Sequence, residues 1–387
     1  MAVKVTHETA DAPATKIDNI KNIYAIVNEA AKQSMGAPIE VIDASSLVTL
    51  GKEIFDAGKV DAFTRVLVQR IARTIISYRA YKSPYDVLAL SDFEYGAFVQ
   101  KLEIEMPEAH SDDSIDLEDG LSVDMYIVAK PKFQQKLFSK VGSREYHITI
   151  QRKWLKMAFD SPERMGAAIS AIFGKVRNKI ELDDANTGRL TVSNYIANIA
   201  DTSREIKLVT MYNAATGKNV PTGAGAMFDE SFMRYAIGRM NYLSSLITDI
   251  ATKYNDGTID RFTPSEYQRF FVEAEFQAML ETQVQYAAFH DRYVTKMANR
   301  VIPFWQTPNS PRDIEITAET NTGAVNKTVN NVVAFLFDRD ALGTYKHDED
   351  TLTTPVNARG RYYNVYWFLE KMWFNDLSEN GVVFTLN

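Results

Sequence analysis

Residues 332–340 read Val-Val-Ala-Phe-Leu-Phe-Asp-Arg-Asp, residues 357–368 read Asn-Ala-Arg-Gly-Arg-Tyr-Tyr-Asn-Val-Tyr-Trp-Phe, and residues 380–386 read Asn-Gly-Val-Val-Phe-Thr-Leu. Each holds a run of β-branched and aromatic side chains, the types that fit a pleated and packed surface, so strands are predicted over 332–337, 362–369 and 382–386. A shorter segment of the same kind lies at 301–305. Upstream of these strands the apolar spacing is mostly helical, and strands and helices do not alternate regularly. The fold class is therefore α+β rather than a doubly wound parallel sheet.

Working outward to the N-terminus, residues 1–15 are polar and read as an arm that needs a partner surface to be ordered. From Asp18 the residues Ile20, Ile23, Tyr24, Val27, Ala30 and Ala31 recur at three- and four-residue steps, which predicts a helix ended by Gly36 and Pro38. A second helix is predicted from Asp61, carrying Phe63, Val66, Leu67, Ile71, Ala72 and Ile75, and it stops before Pro84. The best-specified helix starts at Ser161, with Pro162 at the first helical position and Glu163 in the first turn. Met165, Ile169, Ile172, Phe173, Val176 and Ile180 form its stripe, after which Asp183 to Gly188 reads as a turn-rich break. Helix resumes through Val192, Tyr195, Ile196 and Ile199, and further helices are predicted over 232–251 and 284–297. Residues 213–226 read as an exposed loop. Thr263, Pro264 and Glu266 spell a capping box, although Phe270, Phe271 and Val272 fit a strand equally well.

Between Pro84 and Trp154 the pattern changes to short stretches, Phe98, Leu102 and Ile104 and then Tyr126, Ile127 and Val128, which predict strands with little means of building a core of their own. The charge of this excursion is sharply divided. Glu103, Glu105, Glu108, Asp112, Asp113, Asp116, Glu118, Asp119 and Asp124 are nine acids with no Lys or Arg among them. From Lys130 to Lys156, the cations Lys130, Lys132, Lys136, Lys140, Arg144, Arg152, Lys153 and Lys156 face only Glu145. Two opposed strips on one projecting element complement each other, or copies of themselves on neighbouring subunits. A solvated acidic loop is the plainer reading, and a divalent-cation site a weaker one, because the spacing lacks the Asp-x-Asp-x-Asp-Gly order.

Several chemistries are excluded by what the 387 residues lack. There is no Cys, which removes disulfides, thiolate nucleophiles and thiolate metal sites. The five His, at 7, 110, 147, 290 and 347, have no metal-ligand spacing, so no metal or other cofactor is expected. Gly217 and Lys218 fail the phosphate-loop pattern, because Tyr212 and Asn219 occupy its other required positions. Gly223 and Gly225 fail the dinucleotide pattern, whose third glycine position is Phe228, and no Gly-x-Ser-x-Gly elbow occurs. A net charge of -7 disfavours tight sequence-independent nucleic-acid binding. No secretory signal is readable and no run of 18 apolar residues occurs, so neither secretion nor a membrane is expected.

Against this background the order of motifs resembles the major capsid proteins of short-tailed phages with small genomes, the Picovirinae type. The resemblance is carried by Phe133-Gln-Gln-Lys-Leu-Phe-Ser-Lys, by Tyr146-His-Ile-Thr-Ile-Gln ahead of Trp154-Leu-Lys-Met-Ala-Phe, by the helix after Ser161, and by the three strands quoted first. It implies the tailed-phage capsid fold of the Hong Kong 97 type, with residues 1–83 as N-terminal arm and helices and 84–155 as a hairpin-like extended loop. Residues 156–201 and 331–387 would form the peripheral domain with its long spine helix, and 202–330 the axial domain. The implied function is structural, with no catalytic residue: pentamers and hexamers closing into an icosahedral head around double-stranded DNA, assembled in the host cytoplasm. A portal and a scaffolding or decoration protein are the further partners that the resemblance implies. Expected intersubunit charges are Glu103, Glu105, Glu108, Asp112, Asp113, Asp116, Glu118 and Asp119 against Lys130, Lys132, Lys136, Lys140 and Arg144. An encapsulin-like compartment shell, and a cytosolic enzyme holding a metal with segment 103–124, stand as alternatives.

Overall fold

The computed structural model describes residues 16–36, 40–73, 82–89, 99–158 in part, 174–257, 260–285, 300–320 and 323–387. Within 99–158 it leaves aside 105, 108–117, 121, 123–125, 127, 129, 131–132 and 139–140. The predicted helix start at Ser161, the predicted helix over 284–297 beyond Gln285, and the N-terminal arm lie outside the described residues. In chain order, the helices are α1 (Lys16–Met35), α2 (Ala44–Asp56), α3 (Val60–Arg73), α4 (Arg152–Ala158), α5 (Lys175–Ile199), α6 (Leu208–Thr216), α7 (Glu230–Leu246) and α8 (Ala274–Gln285). The strands are β1 (Val99–Ile104), β2 (Phe133–Phe138), β3 (Val141–Gln151), β4 (Glu205–Lys207), β5 (Gln268–Glu273), β6 (Arg300–Ile302), β7 (Ile314–Thr320), β8 (Gly323–Val329), β9 (Val332–Asp338), β10 (Leu342–Thr353), β11 (Tyr362–Asn375) and β12 (Gly381–Thr385).

The chain divides into two compact units, one of residues 1–83, 143–184 and 348–370 and the other of 84–142, 185–347 and 371–387. In the first, Val27, Ala30 and Ala31 of α1, Leu47, Leu50 and Ile54 of α2, and Phe63 and Leu67 of α3 form one core with Ile150, Tyr363, Val365 and Trp367. From Tyr362 to Leu369 strand β11 alternates, burying Tyr363, Val365 and Trp367 while Tyr362, Asn364 and Tyr366 remain half-exposed. That is the period-two pattern of a sheet covered on one face. Helix α2 is absent from the sequence reading. It begins at Asp43, whose carboxylate accepts from the Ser46 backbone N–H at 2.7 Å while the Ser46 hydroxyl accepts from the Asp43 N–H. The cap holds the Asp43 carboxyl below its ordinary range, chiefly through the Ser46 backbone hydrogen bond.

The second unit is built on a five-stranded sheet in the order β4-β12-β9-β5-β6. Strand β12 runs parallel to β4 and antiparallel to β9, and β5 runs antiparallel to β9 and parallel to β6. All seven residues of β9 and all five of β12 are buried because both faces are covered. Ala334, Leu336, Val382, Phe384, Phe270 and Val272 face α6, α7 and α8. Phe335, Phe337, Val383 and Phe271 face Val192, Tyr195, Ile196 and Ile199 of α5 together with Trp305. Trp305, fully buried, donates its indole N–H to the Val332 carbonyl at 2.8 Å.

Two expectations are corrected here and one open choice is resolved. Asp183 to Gly188 is no break but the middle of the 25-residue helix α5. Its turn-forming side chains are engaged instead: the Tyr146 hydroxyl donates to Asp183 at 3.0 Å, and Lys179 pairs with Asp183 at 2.6 Å. Gly188 is needed for close packing, since a Cβ there would sit 2.7 Å from Cβ of Tyr85. The capping-box sequence at Thr263 leads into strand β5, because the Thr263 hydroxyl donates to Asp338 on neighbouring β9 at 2.7 Å rather than capping a helix. The second strand of the excursion is 133–138; Tyr126 lies in a turn. Among the described residues no helix is long and apolar enough to cross a membrane.

Candidate functional site

Strands β1 and β2 form a two-stranded antiparallel ladder in which Val99 faces Phe138, Lys101 faces Lys136, Leu102 faces Gln135, Glu103 faces Gln134, and Ile104 faces Phe133. Directly opposed residues share a face, so the register places Lys101, Glu103, Gln134, Lys136 and Phe138 on one side of the ladder and Gln100, Leu102, Ile104, Phe133, Gln135 and Leu137 on the other. A hairpin on a globular body ordinarily turns its apolar face inward. Here the polarity is reversed.

The inward face carries charge. Lys101 Nζ contacts Asp376 Oδ2 at 2.7 Å and Glu379 Oε1 at 2.5 Å, and Lys136 Nζ contacts Asp376 Oδ1 at 3.0 Å. Arg261 pairs with Glu103 and lies 3.5 Å from Glu379. The carboxylates are almost completely enclosed, with side-chain exposures of 2% for Asp376, 6% for Glu103 and 8% for Glu379. Asp376 and Glu379 lie in the turn between β11 and β12. Within that turn the Ser378 hydroxyl and N–H both donate to Asp376, and the Tyr195 hydroxyl donates to the Glu379 carbonyl at 2.9 Å. Packing adds to the clamp, because Phe138 lies against Phe374 with ring centroids 4.7 Å apart.

The titration of these groups shows which attachments dominate. Burial acts to raise Asp376, but the Lys101 charge and the hydrogen bonds from Lys101, Ser378 and Lys136 outweigh it and hold the carboxyl far below its ordinary value. At Glu379 burial wins over Lys101 and Arg261, and the carboxyl is raised. Burial likewise raises Asp338, against hydrogen bonds from the Asp340 N–H and the Thr263 hydroxyl. Burial would lower Lys101, yet Glu379 and Asp376 together keep its ammonium above the ordinary range. Asp376 is thus the anchor of the clamp. Although oxygens of Glu103, Asp376 and Glu379 converge within 4.8 Å, a geometry that also suits a cation, Lys101, Lys136 and Arg261 already supply three positive charges among them.

The outward face is apolar and open. Leu102 is 59% exposed, Ile104 58%, Phe133 57% and Leu137 56%, and Met106 continues the patch beyond β1. Such contiguous exposure on a strand pair marks an interaction surface.

The charges expected to meet a neighbour are therefore distributed unevenly. Glu103 and Lys136 are committed to partners within their own chain. Glu118, Asp119 and Lys130 are exposed, and Arg144 is half-buried. Glu105, Glu108, Asp112, Asp113, Asp116, Lys132 and Lys140 lie outside the described residues. The residues that sequence reasoning missed are Lys101, Arg261, Asp376 and Glu379. The turn Asp376-Leu-Ser-Glu-Asn380 between two apolar strands is the one local signal that could have pointed to them.

Solved structures define the class. The chain is similar to a protein in the capsid structure of Staphylococcus phage Andhra, with a TM-score of 0.52 and 12% identity over 81% of this chain and 86% of that one. It is also similar to a chain in a structure of head fiber and inner core protein gp22 of native bacteriophage P68, with a TM-score of 0.55 and 9% identity over 81% and 87% of the two chains. The fold is the tailed-phage capsid fold of the Hong Kong 97 type. The family follows from sequence: the model of the Phi29-like phage major capsid protein matches residues 23–385, and the chain belongs to that family. The major capsid protein of Streptococcus phage Cp-1 is 22% identical over 288 residues, covering 73% of this chain and 74% of that protein. The chain is a shell-forming structural protein of the phage virion, and the encapsulin-like and metal-enzyme readings are left without support.

Proposed function

We propose that this chain closes, through pentamers and hexamers, into an icosahedral head around double-stranded DNA in the host cytoplasm, joined by a portal and by a scaffolding or decoration protein. Residues 84–155 act as the extended loop, reaching from a body whose peripheral part is 156–201 with 331–387 and whose axial part is 202–330; residues 1–83 supply the arm and its helices. The observation that carries this reading is the reversed polarity of the β1–β2 hairpin. Its charges are satisfied inside its own unit, and its apolar side chains face out. Covering the remaining exposure of Leu102, Ile104, Phe133 and Leu137 on a neighbouring subunit would contribute about 1 kcal/mol for each side chain.

That contact is heterologous, projecting element onto body, and heterologous contacts close into rings. The remaining strip charges, Glu105, Glu108, Asp112, Asp113, Asp116, Glu118 and Asp119 against Lys130, Lys132, Lys140 and Arg144, then act between subunits, while Glu103 and Lys136 serve the clamp within the chain. The chain itself performs no catalytic step in this role. The test is the double substitution Leu102→Lys with Phe133→Lys, which leaves the inward clamp untouched. Electron microscopy should find no closed shells while the circular dichroism of the subunit is unchanged; shells of normal yield and size would overturn the reading.

A further inference from the structure

A second surface stands apart from the hairpin, in the first unit. Helix α4 presents Lys153, Trp154, Lys156 and Met157 to solvent, with Trp154 55% and Met157 54% exposed. The turn between β10 and β11 carries Arg359 and Arg361, both exposed. The two are joined directly, because the Arg152 N–H that opens α4 donates to the Arg361 carbonyl at 2.9 Å. Five cations therefore share one patch: Arg152, Lys153, Lys156, Arg359 and Arg361. Among the described residues, none of the five is paired with a carboxylate. Arg152 and Lys156 instead lie over the Phe55 ring, at 5.5 and 6.0 Å from its centroid. In a chain of net charge -7, five clustered cations without carboxylate partners make a local positive field open to a polyanion.

The turn is also built to hold its shape. Asn357 Oδ1 accepts from the N–H groups of Arg359 and Gly360 at 3.1 and 2.8 Å, and the Arg361 N–H donates to the Asn357 carbonyl at 2.7 Å. Arg361 is held at φ 52°, a left-handed conformation costing a non-glycine residue about 1–2 kcal/mol. Gly360 has no alternative, since a Cβ there would run into the Tyr362 ring. Strain of this kind persists where the surroundings over-determine it, and here it fixes the backbone from which two exposed Arg side chains extend.

We infer that this patch is a landing surface for the phosphate backbone of duplex DNA. The inference rests on the container reading above for the choice of polyanion, and on the chemistry of the patch for the rest. Guanidinium forks match phosphate geometry, an array of unpaired cations matches the dense and regular charge of a duplex, and no base-reading element accompanies them. The mean negative charge of the chain keeps such contact weak and sequence-independent.

The test uses the full-length unassembled subunit and a fluorescently labelled 20-base-pair duplex, with anisotropy read from 50 to 200 mM salt. Four to five phosphate contacts predict a log-log salt slope of about -4, a loss of roughly 200-fold in affinity across that range. Arg359→Ala with Arg361→Ala should flatten the slope to about -2. Lys153→Glu with Lys156→Glu should act in the same direction without touching the strained turn, and so covers the case in which the first variant misfolds. A slope unchanged in both variants, or no duplex binding by the intact subunit, overturns the inference. So does selective capture of a synthetic peptide of residues 103–124 in place of DNA, which would make the patch a contact between copies. Shells that still form from either variant leave the capsid reading untouched.

Discussion

Replacing Asp376 by Asn and Glu379 by Gln gives two nearly isosteric changes in one buried cluster, and they should differ sharply. Among the described residues, Asp376 alone of the carboxylates contacts both Lys101 and Lys136, at 2.7 and 3.0 Å, and its partners overcome the penalty of burial. Removing its charge leaves Lys136 without its carboxylate and Lys101 with Glu379 alone. Breaking a buried pair from one side costs about 3–5 kcal/mol. The lysines keep 23% and 28% side-chain exposure, which puts the expected loss at the low end, about 3 kcal/mol. Glu379 is the opposite case, because its burial outweighs its partners and ionised Glu379 is retained at a net cost. Glu379→Gln should therefore change stability by no more than about 1 kcal/mol. The assay is amide hydrogen exchange at 99–104 and 133–138 in the unassembled subunit, where about 3 kcal/mol appears as roughly 100-fold faster exchange. Equal acceleration in the two variants, or none in Asp376→Asn, would refute the assignment of Asp376 as the anchor.

Other outcomes follow from the same geometry. On acidification, Glu379 and Asp338, whose folded values are raised, take up protons first and relieve a burial cost, so the hairpin should hold through mildly acidic solution; the contribution of depressed Asp376 is lost only as pH falls below its ordinary value of 3.8, which a pH series of the same exchange measurement would register. Gly188→Ala should cost about 1–3 kcal/mol in urea unfolding, because the new Cβ meets Tyr85 at 2.7 Å within helix α5. Trp305→Ala should cost about 3–5 kcal/mol, through the cavity left between β9 and α5 and the lost bond to Val332. Tyr195→Phe should cost about 1 kcal/mol by leaving the Glu379 carbonyl without its hydroxyl donor, and it should loosen the 376–380 turn in the same exchange assay.

Where neighbours in sequence are also neighbours in space, the chain could be read directly. The burial of β9, β11 and β12 follows from β-branched and aromatic runs too apolar to lie anywhere but in a sheet, and the α1 and α3 stripes follow from three- and four-residue spacing. Where local propensity competed with tertiary packing, local propensity lost. Asp183, Asn186 and Gly188 are turn formers, yet the pairing of Asp183 with Tyr146 and Lys179 and the approach of Tyr85 to Gly188 carry the helix through them. Thr263 has a capping-box sequence, yet its hydroxyl is taken by Asp338, 75 residues away.

The sequence by itself determined the α+β class, the lack of catalytic signatures, the family, and the division of charge along the element between Pro84 and Trp154, because each of these depends on residue type, order and short-range spacing. Tertiary structure alone decided which way that element faces. The segregation of acids and bases along the chain suggested charge directed at a neighbour. In the fold, Lys101 and Lys136 turn inward to Asp376, more than 200 positions away, and the period-two geometry of a strand then forces Leu102, Ile104, Phe133 and Leu137 outward. Periodicity fixes that these two sets lie on opposite faces. Only contacts between residues distant in sequence fix which face meets the body and which is left for a partner.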